Sequence, residues 1–325
     1  MKNAILFGNG MNRVGGNSFS WENLLKSLSP RGEMPSSSNT LSYECIYLSR
    51  CSEDSCEAKE GLVNELTIKK QIAAKCQQFE SNDIYKLMMS MPTDVFLTTN
   101  YDDVLGKTFE ANEYVRDRQH DSVAESIYSI RRCHAYREQK TGKIKKIFPI
   151  HGECMAPKTI MIGYDHYCGS LGKLDDYFKG KYVFKSGEET KKLRRLLERL
   201  RDDNDSKNMS VDMLGNYWPD YFFTHDIHMI GIGMPLVESD LWWVLNKRSR
   251  YKKVCPEICN SIYFYATQKN DPKKNDSEIN QLLEMFDVKV ELTDVLNEDW
   301  HSAYEQMFEK MKKNMDNSVK IIREY

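Results

Sequence analysis

The chain has 325 residues, with 40% hydrophobic and 29% charged side chains. That is ordinary for a soluble globular protein and enough for one large α/β domain or two small ones. The formal net charge of −2 argues against nucleic-acid binding driven by bulk charge, and no apolar run is long enough to span a bilayer.

The N-terminal apolar stretch is too short for a signal peptide and leads straight into a glycine turn. Nine cysteines, odd in number and irregularly spaced, contain no Cys-x-x-Cys. Free thiols in a reducing cytoplasm are expected, with no metal site.

Ala4 to Phe7 reads as a strand, and Gly8-Asn9-Gly10 as a tight turn continued by a loop through Met11-Asn12-Arg13. Glycines there let backbone approach a phosphate, and Arg13 and Asn12 can meet a diphosphate or ribose. The third glycine of a G-x-G-x-x-G fingerprint is replaced by Arg13, so a plain strand-to-helix turn is the alternative. A helix opens at Trp21 with Ser20 as N-cap. Residues 30–40 read as loop, 59–80 as helix, and 82–89 as a further helix.

Val95, Phe96 and Leu97 form a short apolar run that suits a buried parallel strand, and it ends in Thr98-Thr99-Asn100-Tyr101-Asp102. A helix follows around Val104 to Phe109. The stretch from Tyr114 to Gly142 reads as polar loop. Ile147 to Ile150 is a strand ending in His151-Gly152, and Thr159 to Ile162 a shorter one. Residues 170–182 read as helix.

Residues 188–201 read as an amphipathic helix. Leu193, Leu196, Leu197 and Leu200 line one face, and Lys191, Lys192, Arg194, Arg195, Arg199 and Arg201 the other. Such a face is normally solvated; contact with an acidic partner is the alternative. Asp202 to Asn208 reads as polar loop, and Trp218, Tyr221, Phe222 and Phe223 as core. Ile227 to Ile232 is a strand ending in Gly231-Ile232-Gly233. A helix over 238–248, capped by Ser239 or Glu238, carries Asp240 in its first turn. Strand 261–266, helix 278–286, strand 288–292 and a closing helix over about 298–313 with a basic tail complete the chain.

This alternation predicts a Rossmann-like, mostly parallel, doubly wound sheet in one domain over 1–325, with helical insertions at about 20–90 and 165–223 capping the strand ends. Polar residues at the ends of several parallel strands converge on one pocket. The candidates are Gly8, Asn9, Gly10, Asn12, Arg13, Thr99, Asn100, Tyr101, Asp102, His151, Gly231, Gly233 and Asp240. Tyr164 and His166 are further candidates for its wall. His225 and His228 lack a third metal ligand and read as core.

Together, Gly8-Asn9-Gly10, Thr98 to Asp102, His151-Gly152 and Gly231-Ile232-Gly233 give the chain its likeness. It resembles the sirtuin family, whose members carry a Gly-Ala-Gly loop, a Thr-Gln-Asn-x-Asp segment, a His-Gly pair and a late glycine segment. The runs Gly163 to Cys168 and Glu238 to Arg250 resemble the NAD hydrolases of bacterial anti-phage systems more than protein deacylases. The four-cysteine zinc module of the deacylases is missing, and Thr99 stands where they have glutamine.

The resemblance implies NAD as substrate and cleavage of the nicotinamide–ribose bond by Asn100 and His151, aided by Asp102. The glycine loops, Asn9, Asn12, Arg13, Thr99, Tyr101 and Asp240 would bind the dinucleotide. It also implies an NAD-depleting defence effector held in check by homo-oligomerisation or by a separate activating protein, such as a HerA-type ATPase or a nucleotide-sensing subunit.

The residue chemistry fits. Nicotinamide leaves neutral, so no strong acid is needed, while charge builds on the ribose. The Asn100 amide can orient a water or a ribose hydroxyl, His151 can act as general base, and Asp102 can fix the pocket or favour the cation. A nucleotide-binding regulatory subunit without turnover is the alternative, and an NAD-dependent protein deacylase a weaker one.

Overall fold

The computed structural model describes residues 2–14, 21–29, 39–51, 63–122, 127–186, 188–202, 212–268 and 276–323. The expected N-cap Ser20, the loop at 30–38 and the polar loop beyond Asp202 lie outside the described residues.

In chain order the elements are β1 (Lys2–Phe7), α1 (Gly10–Val14), α2 (Trp21–Leu28), α3 (Asn39–Arg50), α4 (Glu65–Cys76), α5 (Asp83–Met89), β2 (Val95–Thr98), α6 (Val104–Glu110), β3 (Tyr114–Arg116), β4 (His134–Glu138) and β5 (Ile144–Pro149). Then come α7 (Tyr164–Lys179), β6 (Val183–Ser186), β7 (Glu189–Lys192), α8 (Leu196–Arg201), α9 (Tyr221–Thr224), β8 (His225–Ile230), α10 (Ser239–Lys252), β9 (Ile262–Gln268), α11 (Asp276–Met285), β10 (Val288–Asp294) and α12 (Trp300–Arg323). The main sheet runs β10-β9-β8-β1-β2-β5-β4-β3. Its six strands from β10 to β5 pair in parallel, and β4 and β3 close one edge antiparallel. This is a Rossmann-like α/β fold with a mostly parallel central sheet.

β1 sits at the centre because both its faces are apolar. Ala4 and Leu6 pack with Leu97, Ile227, Met229 and the side chains of α7 to α10, while Ile5 and Phe7 pack with Phe96, Ile230, Tyr85 and Met307. A strand buried on both faces reads as a continuous hydrophobic run. The chain crosses from β1 to β2 on one side, while β8 pairs on the other. The strand order therefore reverses at β1, and a crevice opens beyond its carboxyl end.

A third apolar cluster joins α2, α3 and α4 to Tyr101, Cys154, Ile160 and Ile162. It anchors this insertion beside the ends of β2 and β5. The caps of α4 and α5 are asparagines: Asn64 Oδ1 accepts from Thr67 N–H and Asn82 Oδ1 from Tyr85 N–H, satisfying first-turn donors that the helix leaves free.

Several expectations fail for identifiable reasons. Residues 10–14 form a helical turn rather than loop. Helix α3 occupies a stretch where no element is predicted, and it already includes residues 39 and 40. The polar stretch 114–142 contains β3 and β4. Their charged side chains pair within the edge itself, Arg116 with Asp121 and Arg137 with Asp117, so no apolar alternation marks them.

Residues 159–162 are not a strand. A 3-10 turn, Pro157–Thr159, precedes buried but unladdered Ile160 to Ile162. The helix expected over 170–182 begins at Tyr164. The expected helix 188–201 is half wrong. Its first residues form β7, paired with Val183 and Phe184 of β6, and only Leu196–Arg201 is helical. The insertion at 165–223 accordingly includes a hairpin, and its apolar side chains share the sheet-face cluster. Finally, α12 continues through the stretch read as a basic tail, because Met311 and Met315 extend its buried face from Met307 and Phe308. Among the described residues no helix is long and apolar enough to cross a membrane.

Gly152 has φ +92, and a Cβ there would run into the Thr159 carbonyl. Gly152→Ala is therefore expected to cost about 1–3 kcal/mol of backbone strain, read as a lower denaturant midpoint at unchanged slope; an unchanged midpoint would refute the strain.

Candidate active site

A cavity of about 640 Å³ opens at the carboxyl ends of β1, β2, β5, β8 and β9. Small-molecule sites span roughly 300–1,000 Å³. The turn after β1 forms its floor. Gly8 N–H donates to Ile230 O and Gly10 N–H to Gly231 O, at 3.1 and 2.8 Å. A Cβ on either glycine would stand 2.8 Å from Gly231 O, and one on Gly10 would also strike the Tyr304 hydroxyl. Glycine is required here by the close approach of two backbones.

Of the residues singled out in the sequence, Gly8, Asn9, Gly10, Arg13, Thr99, Asn100, Tyr101, His151, Gly231 and Gly233 all line this cavity. They come from four separate strand ends. Asn12, Asp102 and Asp240 do not line it; they stand behind the wall. Asn12 Nδ2 donates to Asn9 Oδ1 and to Asp102 Oδ2, each at 2.8 Å, and its Oδ1 accepts from the Tyr85 hydroxyl at 2.6 Å. Asp102 Oδ1 accepts from Val104 N–H at 3.1 Å. Burial pushes the Asp102 carboxyl up, against the Asn12 amide that steadies its anion. Asn12 and Asp102 thus tie the β1 turn to the β2 turn.

Tyr164 and His166 are also off the wall. Tyr164 is half exposed on the surface. His166 Nδ1 accepts from Ile162 and Gly163 N–H, while its Nε2 meets Glu65 and Lys69 of the α4 insertion. His228 is buried in the core against Tyr263 and Tyr265, and burial pulls its pKa down to about 3.

Asn100 is 2% exposed, and its amide nitrogen has no hydrogen-bond partner among the described residues. The Tyr85 hydroxyl beside it donates to Asn12 at 2.6 Å; burial raises the Tyr85 pKa, and the Asn100 side chain draws it down against that burial. A buried donor without a partner costs about 1–3 kcal/mol, so such groups are rare outside sites that a ligand completes. The backbone holds it in place: Asn100 N–H donates to Thr98 Oγ1 at 3.0 Å, and Thr99 N–H to Phe7 O at 3.2 Å.

His151, also 2% exposed, lies between two carboxylates. Its Nε2 is 3.0 Å from Asp240 Oδ2, and its Nδ1 3.6 Å from Glu238 Oε2. Burial pulls the imidazole pKa down, but the adjacent Asp240 and Glu238 outweigh it and raise the value to about 9. The two carboxylates thus favour the protonated ring, with Nε2 hydrogen-bonded to Asp240 and Nδ1 facing Glu238.

Glu238 lines the cavity and accepts from the Tyr167 hydroxyl at 3.2 Å. Burial lifts its carboxyl, His151 draws it down, Asp240 lifts it again, and Tyr167 draws it down. Sequence reasoning placed Glu238 only as a helix cap. It also passed over Trp21, Tyr167 and the Trp300–Tyr304–Met307 stripe of α12, all on the cavity wall. The α12 stripe has core-like spacing, so nothing in the sequence separates it from packing. Trp21 sits edge-on to Tyr101 with centroids 5.0 Å apart, and Tyr101 is fixed through its hydroxyl to Met161 O.

His151, Glu238 and Asp240 each offer one ligand atom within 4.8 Å of the others. The nearer carboxylate is hydrogen-bonded to Nε2, however, and the two carboxylates meet opposite ring nitrogens. The Nε2 position is thus occupied by a hydrogen bond to Asp240 rather than open to a cation. Chelation with EDTA is expected to leave any NAD turnover unchanged. Loss of turnover that a divalent cation restores would reverse this reading of the trio.

Residues 94–205 match the SIR2-like domain. The stretch holds Thr99 to Asp102, His151-Gly152 and the run from Gly163, but neither the 8–10 turn nor the 231–240 segment. SIR2-like domains bind NAD, and an NAD-utilising activity is compatible with this match. A search of curated proteins finds no match.

Proposed function

We propose that the protein is an NAD+ hydrolase, cleaving the nicotinamide–ribose bond to give nicotinamide and ADP-ribose. The observation that carries this reading is the Asn100 amide, buried and unpartnered, on the wall of the same cavity as His151. A ribose hydroxyl or a water would complete its hydrogen bonding. Arg13 lies beside the glycine turn on that wall, where a diphosphate would meet it. The carboxylates of Glu238 and Asp240 on either side of His151 bring to the site negative charge that favours the cation building on the ribose.

NAD depletion would be toxic unless controlled, so we further propose a defence effector. It is held inactive by oligomerisation or switched on by a separate protein, an ATPase or a nucleotide-sensing subunit.

A second reading, NAD or ADP-ribose binding without turnover, is favoured by one feature: Asp240 and Glu238 raise the His151 pKa, which works against the general-base role expected of it. Purified protein, alone and with the product of the neighbouring gene, separates the two when NAD+ is supplied and nicotinamide and ADP-ribose are followed. Release of both by wild type supports hydrolysis. Tight NAD+ binding with no release under either condition supports the binding module and rejects the hydrolase.

A further inference from the structure

We propose that Glu238 is a catalytic residue of this cavity, its carboxylate taking a proton from the water that attacks the ribose carbon. This rests on the reading of the site as an NAD+ hydrolase. Only two carboxylates line the cavity among the described residues, Glu22 and Glu238. Glu22 is more than half exposed and bonded to Lys26 at 2.6 Å. Asp240 is wholly buried and committed to His151. Glu238, with 17% of its side chain exposed, is the carboxylate that both borders the cavity and is shielded from bulk water.

Its place in the fold supports the role. Glu238 occupies the N-cap position of the 14-residue helix α10 but makes no side-chain cap bond. The side chain is thereby left free of the helix's first turn. Here the Glu238 carboxylate accepts from Tyr167 and flanks His151 instead. The Glu238 backbone is held by its N–H to Pro235 O at 2.9 Å, and its carbonyl accepts from Trp242 N–H at 3.1 Å. Tyr167 and Asp240 are positioning residues in this arrangement: the first aims Glu238, the second aims His151.

The step balances without a further reactant. The C1′–N bond breaks and its electron pair goes to nicotinamide, which leaves neutral, so the positive charge passes from the pyridinium to the ribose. The anionic Glu238 favours that charge. A water oxygen bonds to C1′, its proton moves to Glu238, and Glu238 returns it to solvent. NAD+ and water thus give nicotinamide, ADP-ribose and a proton. His151, its Nε2 hydrogen-bonded to Asp240, contributes orientation, and Glu238, the shielded carboxylate on the cavity wall, supplies the acceptor.

The groups facing Glu238 are His151, Asp240, Tyr167 and Tyr101. Turnover therefore needs Glu238 ionised, and burial with Asp240 holds its carboxyl above the ordinary glutamate range. The acid limb of the rate profile is then the protonation of Glu238. The test uses the full chain, with the neighbouring gene's product where release requires it, and measures nicotinamide release against pH.

Glu238→Gln is expected to lose roughly 10²-fold in kcat, the lower range for a general base. Its KM should stay within a few-fold, and the acid limb should disappear. Glu238→Ala should regain turnover with added formate, a small carboxylate that can enter the vacated space. Turnover of Glu238→Gln within threefold of wild type, or an acid limb that survives in it, overturns the role of Glu238 alone. A wild type that releases no nicotinamide under either condition overturns the hydrolase reading, and the Glu238 role with it.

Discussion

Asn100→Ala is expected to lower nicotinamide release by roughly 10²–10³-fold, the loss typical of removing one preorganised donor from a reacting centre, while the protein melts no lower than wild type. The two halves come from the same observation. The Asn100 amide nitrogen is buried and unpartnered, so in the empty protein it is a cost, on the order of 1–3 kcal/mol for an unsatisfied donor. Removing it relieves that cost, which offsets the packing lost with the side chain. With substrate bound, the same donor meets a ribose hydroxyl or a water, and its removal is felt in the reaction.

A residue held for activity at the expense of stability shows this split, whereas a structural asparagine loses both together. The checks are an initial-rate assay of nicotinamide with NAD+ and a melting curve of the same preparation. Full activity in Asn100→Ala would remove the observation on which the proposed function stands. Inactivity with a melting point many degrees lower would make Asn100 a packing residue.

Asn100 was legible in the sequence because a three-residue apolar run, Val95 to Leu97, delivers it at a strand end, and strand ends of a parallel sheet face the ligand crevice. The glycines at 8 and 10 were legible for a related reason: only glycine lets the β1 turn pass so close to the Gly231 backbone. Glu238 carried no comparable signal. It follows the turn after β8, and a carboxylate just before a helix reads first as a cap; that its side chain turns away is a fact of three-dimensional geometry. Asp240 and Asp102 were legible as strand-end or first-turn carboxylates, but not their position behind the wall, which depends on contacts across 89 and 90 residues of chain. The edge strands β3 and β4 were hidden because charge pairs, not apolar alternation, stabilise their surfaces.

Arg199 shows the same limit most sharply, and its replacement should have the largest effect on stability. By spacing it belongs to a solvated basic face. In the structure its side chain is fully buried, and its Nη2 lies 3.1 Å from Asp220 Oδ1, which is buried as completely. The guanidinium also donates to Asp212 O, Met213 O and the Tyr177 hydroxyl. Asp220 further accepts from Gly215 and Tyr217 N–H and from the Tyr177 hydroxyl. The pair links α8 to the turn that leads into α9 and β8, and so to the strand that ends at Gly231.

Arg199→Met keeps the length and apolar stem but strands the carboxylate. Breaking one half of a buried pair costs about 3–5 kcal/mol, read as a fall in the urea midpoint at unchanged slope. Asp220→Asn should cost less, because the amide oxygen can still accept from Gly215 and Tyr217. The double replacement Arg199→Met with Asp220→Leu should lose less than the sum of the Arg199→Met and Asp220→Leu losses measured singly, since neither charge is then left alone. Strictly additive losses would mean the two side chains are not coupled, and a loss below 1 kcal/mol in Arg199→Met would return Arg199 to the solvated face that its spacing suggests.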